Sequence, residues 1–309
     1  MTLRQIVNRV SNKEHFQTIE DYIEFCRIFL NCAATDLQAT IVSRNEPHYT
    51  FWQFKKAGNF NITRPINSNL MYTAKDEGQF SGEFLDVLAN IRETSTASSV
   101  NRERVNRAIY TLQQSIGAAL DALPSGKSNT ARKINGDLFE RLIRLILIRV
   151  GVECSTGVVT VPVKVDGEPA FEMSYQHDLI IKEGELVKVI GSVKTSSKDR
   201  LDKIFIDKFL FGKLTGSHVP HVAIFLNDVQ RKNTKNPREY GINATFLPGH
   251  FKGYTVKLNP LDGVYYCDIR PNMRTEPILR DHIKTFDHFL FGDLWELLDR
   301  EAITAKIEE

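Results

Sequence analysis

The first 125 residues carry apolar side chains at helical spacing. Helical patterns cover residues 19–42, 82–93 and 101–123. The first of these has a stripe that would face a core. It consists of Ile19, Tyr22, Ile23, Cys26, Phe29 and Leu30. Residues 45–69 are rich in asparagine, proline and aromatic side chains, which indicates irregular or hairpin structure. The sequence thus predicts a mainly helical N-terminal region.

The pattern changes from about residue 135. A helical pattern over 136–151 leads into segments that alternate as strands do. Glu183 and Gly184 separate the last two strand segments, as a hairpin turn would. A helical pattern over 199–214 and an apolar strand over 221–227 follow. The three strand segments before them are 158–165, 174–182 and 186–194. This order predicts an α/β fold, with a mixed central sheet flanked by helices.

A polar break after Pro124 is the best candidate for a linker. We therefore predict a mainly helical region over 1–125 and a second domain over 126–309. The tetrapeptide Ser125–Ser128 has the letters SGKS of a phosphate-binding loop. That loop needs a glycine where Asp121 stands, and no strand precedes the segment, so an interdomain turn is the better interpretation.

Composition narrows the class of protein. Apolar residues make up 42% and charged residues 25%, which is ordinary for a globular chain and excludes a mainly disordered one. The net charge of +2 means that any affinity for nucleic acid must come from local basic surfaces. The four cysteines form no CxxC pair, which favours reduced thiols over a zinc ribbon. No apolar run is long enough to span a membrane and no secretory signal is apparent, so we expect a cytoplasmic protein.

The candidate chemistry lies on the predicted hairpin. Asp178 opens the apolar part of one strand, and Lys194 ends the next. The ends of paired strands meet, so these two side chains are expected side by side, with Ser192 on the same face as Lys194. A carboxylate beside a lysine at the rim of a sheet suits phosphodiester hydrolysis, in which a metal ion and an ammonium offset charge on the phosphate.

A single carboxylate rarely holds Mg²⁺ well, so further ligands are needed. Asp207, on the following helix, and Glu140, a polar interruption in an apolar helix, are the candidates. Each has a simpler alternative. Glu140 can pair with Arg144 and Asp207 with Lys203, both at i,i+4, and Asp178 can be a charge at a strand edge.

A basic segment lies near the end of the predicted sheet. Residues 230–238 contain four cations and no acidic residue. Such a loop fits contact with a phosphate backbone, although a solvated loop explains it equally well. The cations are Arg231, Lys232, Lys235 and Arg238.

Asp178, the hairpin and Ser192-Val193-Lys194 together resemble the PD-(D/E)xK nuclease core, and specifically that of Type II restriction endonucleases. Ser192 stands where that motif usually has an acidic residue. This departure is similar to a subgroup that cuts CCGG and CC-N-GG sites, in which the next helix supplies the missing carboxylate. Asp207, thirteen residues after Lys194, occupies that place, where the subgroup usually has glutamate. Glu140 resembles the upstream helical glutamate of the same group.

The resemblance covers about residues 135–226 and extends to sequence recognition. Lys198-Asp199-Arg200 resembles the recognition segment of the subgroup. Lysine or arginine matches guanine O6 and N7, and aspartate accepts from cytosine N4, so CC and GG half-sites are expected. The alternative is that these are ordinary first-turn helix residues, with Asp199 placed favourably against the helix dipole.

The resemblance implies a homodimeric, Mg²⁺-dependent restriction endonuclease that cuts double-stranded DNA. Two active sites related by a two-fold axis match a palindrome, and pairs of dimers forming tetramers stay open. A cognate DNA methyltransferase would be its partner. Residues 126–309 would form the PD-(D/E)xK-like nuclease domain, and the region over 1–125 would serve dimerisation or flanking DNA contact. Two other functions stay open at this point, namely a repair or recombination nuclease of the same core and a non-catalytic DNA-binding regulator.

Overall fold

The computed structural model describes residues 1–56, 59–198, 200–232 and 239–300. The helices are α1 (Leu3–Ser11), α2 (Ile19–Asp36), α3 (Glu77–Ala89), α4 (Ser99–Leu120), α5 (Ser128–Arg149), α6 (Leu201–Thr215), α7 (Pro248–Lys257), α8 (Pro271–Thr275), α9 (Pro277–His282), α10 (Phe286–His288) and α11 (Leu294–Asp299). The strands are β1 (Leu37–Val42), β2 (Tyr49–Lys56), β3 (Asn59–Ile62), β4 (Ile66–Asn67), β5 (Cys154–Val165), β6 (Glu168–Glu183), β7 (Leu186–Ser196), β8 (His221–Asn227), β9 (Val229–Arg231), β10 (Ile242–Ala244), β11 (Gly263–Tyr266) and β12 (Ile283–Thr285).

A six-stranded mixed sheet forms the centre of the molecule, with the order β12-β11-β8-β7-β6-β5. Strands β5, β6 and β7 are antiparallel neighbours, whereas β7, β8, β11 and β12 run parallel. The predicted hairpin is present, with Gly184 in its turn at φ +59°, a conformation that glycine adopts without steric cost. The prediction of an α/β fold with a mixed central sheet flanked by helices is confirmed.

Hydrophobic residues are buried on both faces of this sheet. On one face, Leu179, Val193 and Ile224 pack in one core with the long helices α2, α4 and α5. On the other face, Phe225 packs with Phe205 of α6 and with residues of α7 and α9. Because α5 lies across the first face, its middle comes close to the end of β7, which places Glu140 near the predicted site.

The N-terminal region shares the first of these cores. Residues such as Phe25 of α2 and Ile109 of α4 pack in the same cluster as Leu142 of α5 and Leu294 of α11. The core therefore runs across residue 125, and the division into 1–125 and 126–309 stays a prediction about independent folding. Among the described helices, none is long and apolar enough to cross a membrane.

Several segments differ in detail from the sequence prediction. The helical pattern over 19–42 continues only to Asp36, and its last six residues form the strand β1. Residues 45–69 contribute β2, β3 and β4 to a small antiparallel sheet with β1, in which Tyr49, Phe51 and Phe54 of β2 are buried and Trp52 is half-buried. Helix α5 begins at Ser128, about two turns earlier than the apolar pattern from 136 indicates. Five of its first eight residues are exposed, and one of the three buried ones is the polar Asn135, so the hydrophobic periodicity there is weak.

Candidate active site

A β-bulge in β6 sets the direction of Asp178. Gly157 and Ser155 of β5 pair with His177 and Ile180 of β6, so two steps along β5 match three along β6. The extra residue lies in the segment that contains Asp178. A bulge bends the strand and changes the direction of a side chain, and bulges are frequent beside active sites. The bulge allows the His177 side chain to be buried, at 7% exposed, while the next side chain reaches the rim of the sheet.

The pairing of β6 with β7 ends just before this point. The last pair is Leu179 with Gly191, where an added Cβ on Gly191 would lie 2.9 Å from the Leu179 side chain. Beyond it, the strands separate. The backbone N–H of Val193 then donates to Asp178 Oδ2 at 2.9 Å, so a carboxylate replaces the carbonyl that a continuing ladder would have offered.

The ammonium of Lys194 lies between two carboxylates. Its Nζ is 2.6 Å from Asp178 Oδ2 and 2.9 Å from Glu140 Oε1. The three side chains, called here the Lys194 cluster, are 15–29% exposed. The cluster therefore joins α5, β6 and β7, and it lies within reach of solvent. The sequence analysis had named all three residues as candidates for one site.

Two opposite effects determine the charge states in this cluster. Burial raises the pKa of Glu140, and the negative charge of Asp178 raises it further, while Lys194 acts in the other direction. Burial disfavours the charged form of Lys194, but the two carboxylates outweigh it, so the pKa of Lys194 lies above its usual range. The lysine is accordingly protonated at neutral pH. The repulsion between the two carboxylates is the kind that a bound cation relieves.

The donor set of the cluster fits Mg²⁺. Carboxylate oxygens of Asp178 and Glu140 are the hard ligands that Mg²⁺ prefers, and this ion usually keeps several waters while binding only one or two carboxylates. Among the described residues, no three His, Cys, Asp or Glu side chains come together as a metal-binding group. The cluster is therefore suited to a solvated ion and not to a closed metal cage.

The structure does not bring Asp207 into the Lys194 cluster. Asp207 forms an ion pair with Lys203 one turn earlier on α6, which is the simpler alternative that its spacing allowed. Its charge also acts on His177, whose pKa is lowered mainly by burial. Ser192 lies half-buried opposite Ala223 of β8, two residues before Lys194. The roles assigned to Asp207 and Ser192 stay predictions.

The predicted recognition segment lies at the same edge of the sheet, between β7 and α6. Lys198 is exposed and its Nζ donates to Oε1 of Gln230, on β9, at 3.2 Å. Arg200 is exposed, and its carbonyl accepts from Ile204 in the first turn of α6. Asp199 lies outside the described residues. Both described cations are therefore available to a ligand at this edge.

Half of the predicted backbone-binding cations fall within the described chain. Nη2 of Arg231 donates to the carbonyl oxygens of Ile62 and Thr63, at 2.7 and 2.6 Å, so this end of the guanidinium fastens β9 to the N-terminal sheet. Lys232 is exposed. Lys235 and Arg238 lie outside the described residues. The DNA-backbone role of this segment stays a prediction.

Sequence analysis missed a second group of charges, where β8 and β11 end. Nη2 of Arg270 donates to Glu46 Oε1 at 2.7 Å, and its Nε is 3.9 Å from Asp228 Oδ1. Asp268 accepts from Tyr49 and Asn67. Glu46, Asp228, Asp268 and Arg270 form what is called here the Arg270 cluster. Burial raises the pKa of Asp228 to about 7 and that of Asp268 to about 6.

Two further polar residues near the site carried no signal in the sequence. The hydroxyl of Thr245 lies 3.3 Å from those of Ser196 and Ser197, so it connects the end of β7 to the chain after β10. Gln230 contacts Lys198 from β9. These partners are 32 to 49 residues apart along the chain, and only the parallel pairing of β7 with β8 brings them together.

Comparison with known proteins supports the fold. The chain is similar to the crystal structure of the Type IIP restriction endonuclease Kpn2I, with a TM-score of 0.71 and 18% identity over 98% of this chain and 99% of that one. A complex of restriction endonuclease PspGI with substrate DNA matches with a TM-score of 0.42 and 13% identity, over 73% of this chain and 90% of that one. No protein-family model matches the sequence. No curated protein matches it either. The chain thus has a restriction-endonuclease fold.

Proposed function

We propose that this protein is a Mg²⁺-dependent Type II restriction endonuclease that hydrolyses double-stranded DNA at a short palindrome. The observation that carries the proposal is the Lys194 cluster, in which one ammonium lies between two carboxylates where β6 and β7 separate. The fold match to a Type IIP restriction endonuclease extends over nearly the whole of both chains, which supports the same conclusion.

Asp178 and Glu140 are the residues that would hold Mg²⁺, with Asp207 as a third candidate. The ion supplies Lewis-acid polarisation of a phosphoryl oxygen and lowers the pKa of water. Asp178 is held in place by the N–H of Val193. Its position is thus set by the backbone of β7, the strand that also carries Lys194.

Lys194 acts as a cation and not as a base. Its pKa is raised by Asp178 and Glu140, so it carries its proton at neutral pH and has no lone pair with which to accept another. The Lys194 side chain is 29% exposed, so its ammonium can approach a phosphate, where it offsets the charge that develops on phosphorus and orients water. Release of its carboxylate partners to a cation would free its donors for this role.

The protein would act as a homodimer, or as a pair of dimers, since two sites cut two strands and a two-fold axis matches a palindrome. Lys198, Asp199 and Arg200 have the donors and acceptor that distinguish G·C pairs in the major groove, so we expect CC and GG half-sites. Such an enzyme works beside the DNA of its own cell, which implies a cytoplasmic location and a cognate DNA methyltransferase as partner.

Incubation of the purified protein with plasmid DNA and Mg²⁺ tests the proposal. Discrete fragments whose sequenced ends share one short palindrome are expected, and chelation of the metal should stop cleavage. Diffuse degradation, or cleavage confined to ends and junctions, would favour a repair nuclease. Binding without cleavage would favour a regulator. The Lys194→Ala variant controls for a contaminating nuclease.

A further inference from the structure

The start of α5 carries positive charge that the proposed site does not use. Residues 122–136 contain Lys127, Arg132 and Lys133 and no acidic residue. All three cations are exposed. Arg132 contacts only the nearby Asn129, at 3.4 Å, and Lys133 has no ion pair or hydrogen bond within the part of the chain that the structure describes. The tetrapeptide SGKS, which sequence analysis interpreted as a turn, belongs to this stretch.

These charges lie on the helix that also carries Glu140. Positions 129, 133, 136 and 140 follow one another at intervals of four, three and four residues, so they share one face of α5. Seven residues of helix place Lys133 about 10 Å from Glu140 along the axis. A lysine side chain covers part of that distance. The face therefore leads from an unpaired cation directly to the Lys194 cluster.

Gly136 lies on this face, one turn before Glu140. A Cβ built at this position would meet no atom within 4 Å, so no packing inside the protein requires glycine. Glycine in a helix interior is less favourable than alanine, and its helical conformation here needs no positive φ. The result is a helical surface without a side chain, open to solvent and beside the carboxylate of the site. Another backbone can approach closely only at a surface of this kind, where no side chain protrudes.

We propose that the face of α5 formed by Asn129, Lys133 and Gly136 binds the phosphodiester backbone of the DNA strand that enters the Lys194 cluster. Lys133 neutralises a phosphate near the scissile one, and Gly136 leaves room for the sugar-phosphate chain between them. The inference rests on the proposed function, and it adds a second DNA-binding surface to the predicted segment 230–238. Backbone contacts set position and register without reading sequence.

Binding of a fluorescent 30-bp duplex without divalent metal tests the charge. Lys133→Ala should weaken binding to all sequences alike. The slope of the logarithm of the association constant against the logarithm of the salt concentration should be shallower by about 0.9. The ratio of variant to wild-type Kd should accordingly fall about threefold between 50 and 200 mM salt. Lys133→Arg should restore the slope. Lys257→Ala, an exposed lysine on α7 at the other face of the sheet, is the matched control and should leave the slope unchanged.

Gly136→Ala tests the approach of the backbone. The added methyl meets nothing in the free protein, so the Tm should rise by about 1–2 °C. If DNA lies against this position, cleavage should nevertheless fall about fivefold or more, because the methyl group occupies space that the strand needs. Gly82→Ala in α3 is the matched control, since it too has open space at Cβ; it should gain the same stability and keep full activity.

The outcomes separate this inference from the proposed function. The inference is overturned and the proposed function stands if wild-type protein cleaves DNA, Lys133→Ala has the wild-type salt slope and Gly136→Ala has the wild-type cleavage rate. If wild-type protein neither binds nor cleaves duplex DNA, both are overturned. A more stable but slower Gly136→Ala variant would support the inference, since lost folding cannot explain that combination.

Discussion

The Lys194 cluster and the Arg270 cluster lie at the same edge of one sheet and have similar charges. Each joins one cation to at least two carboxylates. In the first, the Lys194 side chain is 29% exposed and its Nζ lies within 2.9 Å of both partners. In the second, Arg270 is 14% exposed and Asp228 only 2%, and one of the contacts is stretched to 3.9 Å. All three side chains of the first lie within reach of solvent, whereas Asp228 and Asp268 of the second are each 2% exposed and Glu46, at 24%, lies nearer the surface.

This difference shows what solvent access does to similar chemistry. The lysine can exchange partners, because water can solvate whichever group it leaves. The guanidinium of Arg270 cannot, since unpairing a buried charge is costly. We therefore assign chemistry to the Lys194 cluster and attachment of the N-terminal region to the Arg270 cluster. Composition alone does not distinguish them, whereas burial does.

Removal of the ammonium from the Lys194 cluster should have the largest effect. Lys194→Ala should lower the cleavage rate about 10³-fold, because it deletes charge stabilisation that acts in the transition state. DNA binding and Tm should change little, since the side chain is 29% exposed and water can solvate the two carboxylates that it leaves. Single-turnover cleavage and thermal unfolding measure the two quantities. A variant that cuts at the wild-type rate would remove the proposed role from Lys194.

Asp207 lies outside both clusters, and a paired test decides its role. If Asp207 supplies the displaced carboxylate, Asp207→Ala should lower the cleavage rate about 10²–10³-fold, and Asp207→Glu should retain activity. Lys203→Ala, which breaks the same ion pair from the other side, should leave the rate nearly unchanged. If Asp207→Ala and Lys203→Ala both cut at nearly the wild-type rate, the Asp207–Lys203 ion pair is structural only. Asp199 or Asp202 would then be reconsidered as the ligand.

The Arg270 cluster should affect stability and not chemistry. Folded protein holds a proton on Asp228 up to about pH 7, whereas the unfolded chain releases it near 3.8. The folded state binds that proton more tightly, so this stabilisation is full below about pH 4 and is lost as the pH rises through 7. Between pH 5 and 8 the loss amounts to about 2–3 kcal/mol. Asp228→Asn should remove that pH dependence.

Denaturant unfolding at several pH values measures this change, with cleavage at pH 7 as the control. Wild-type stability should decline relative to that of the Asp228→Asn variant as the pH rises. Parallel stability curves for the two proteins would contradict the assignment. A variant that unfolds like wild type but cuts slowly would instead place the Arg270 cluster in the chemistry.

The smallest expected effect concerns sequence discrimination at Arg200. If its guanidinium reads guanine, Arg200→Ala should cost about 1–3 kcal/mol at one base pair and leave the others unaffected. A phosphate contact would weaken binding to every sequence alike. Competition between duplexes that differ at single positions measures this. A recognition site made only of A·T pairs would contradict the proposal.

The sequence predicted those features that depend on local pattern. The apolar strand over 221–227 coincides with β8, and the hairpin around Gly184 follows from its turn residues. The same hairpin brought Asp178 to Lys194. Glu140 was identified because it interrupts an apolar helix, even though its simpler partner was Arg144. In the structure it reaches Lys194 instead, at 2.9 Å.

Features that depend on tertiary contacts could not be found in this way. The bulge at Asp178 is visible only as a mismatch between two paired strands. The Arg270 cluster joins residues more than 180 positions apart, Glu46 and Asp228 among them, and no local pattern connects them. The spacing of Asp207 allowed either a metal ligand or an ion pair with Lys203, and spacing alone does not distinguish the two. Pairing register and burial decided each of these cases.

The bond between the Val193 amide and Asp178 makes the state of this site observable at a backbone hydrogen. Most amides of a central strand exchange with deuterium only when the sheet opens, because a carbonyl of the next strand protects them. Val193 is buried in the sheet, yet it depends on a side-chain oxygen. Any ligand that draws this carboxylate away exposes one amide while its neighbours on β7 keep their protection. A single exchange rate thus reports whether a ligand displaces Asp178 from Val193, in a protein that is otherwise unchanged.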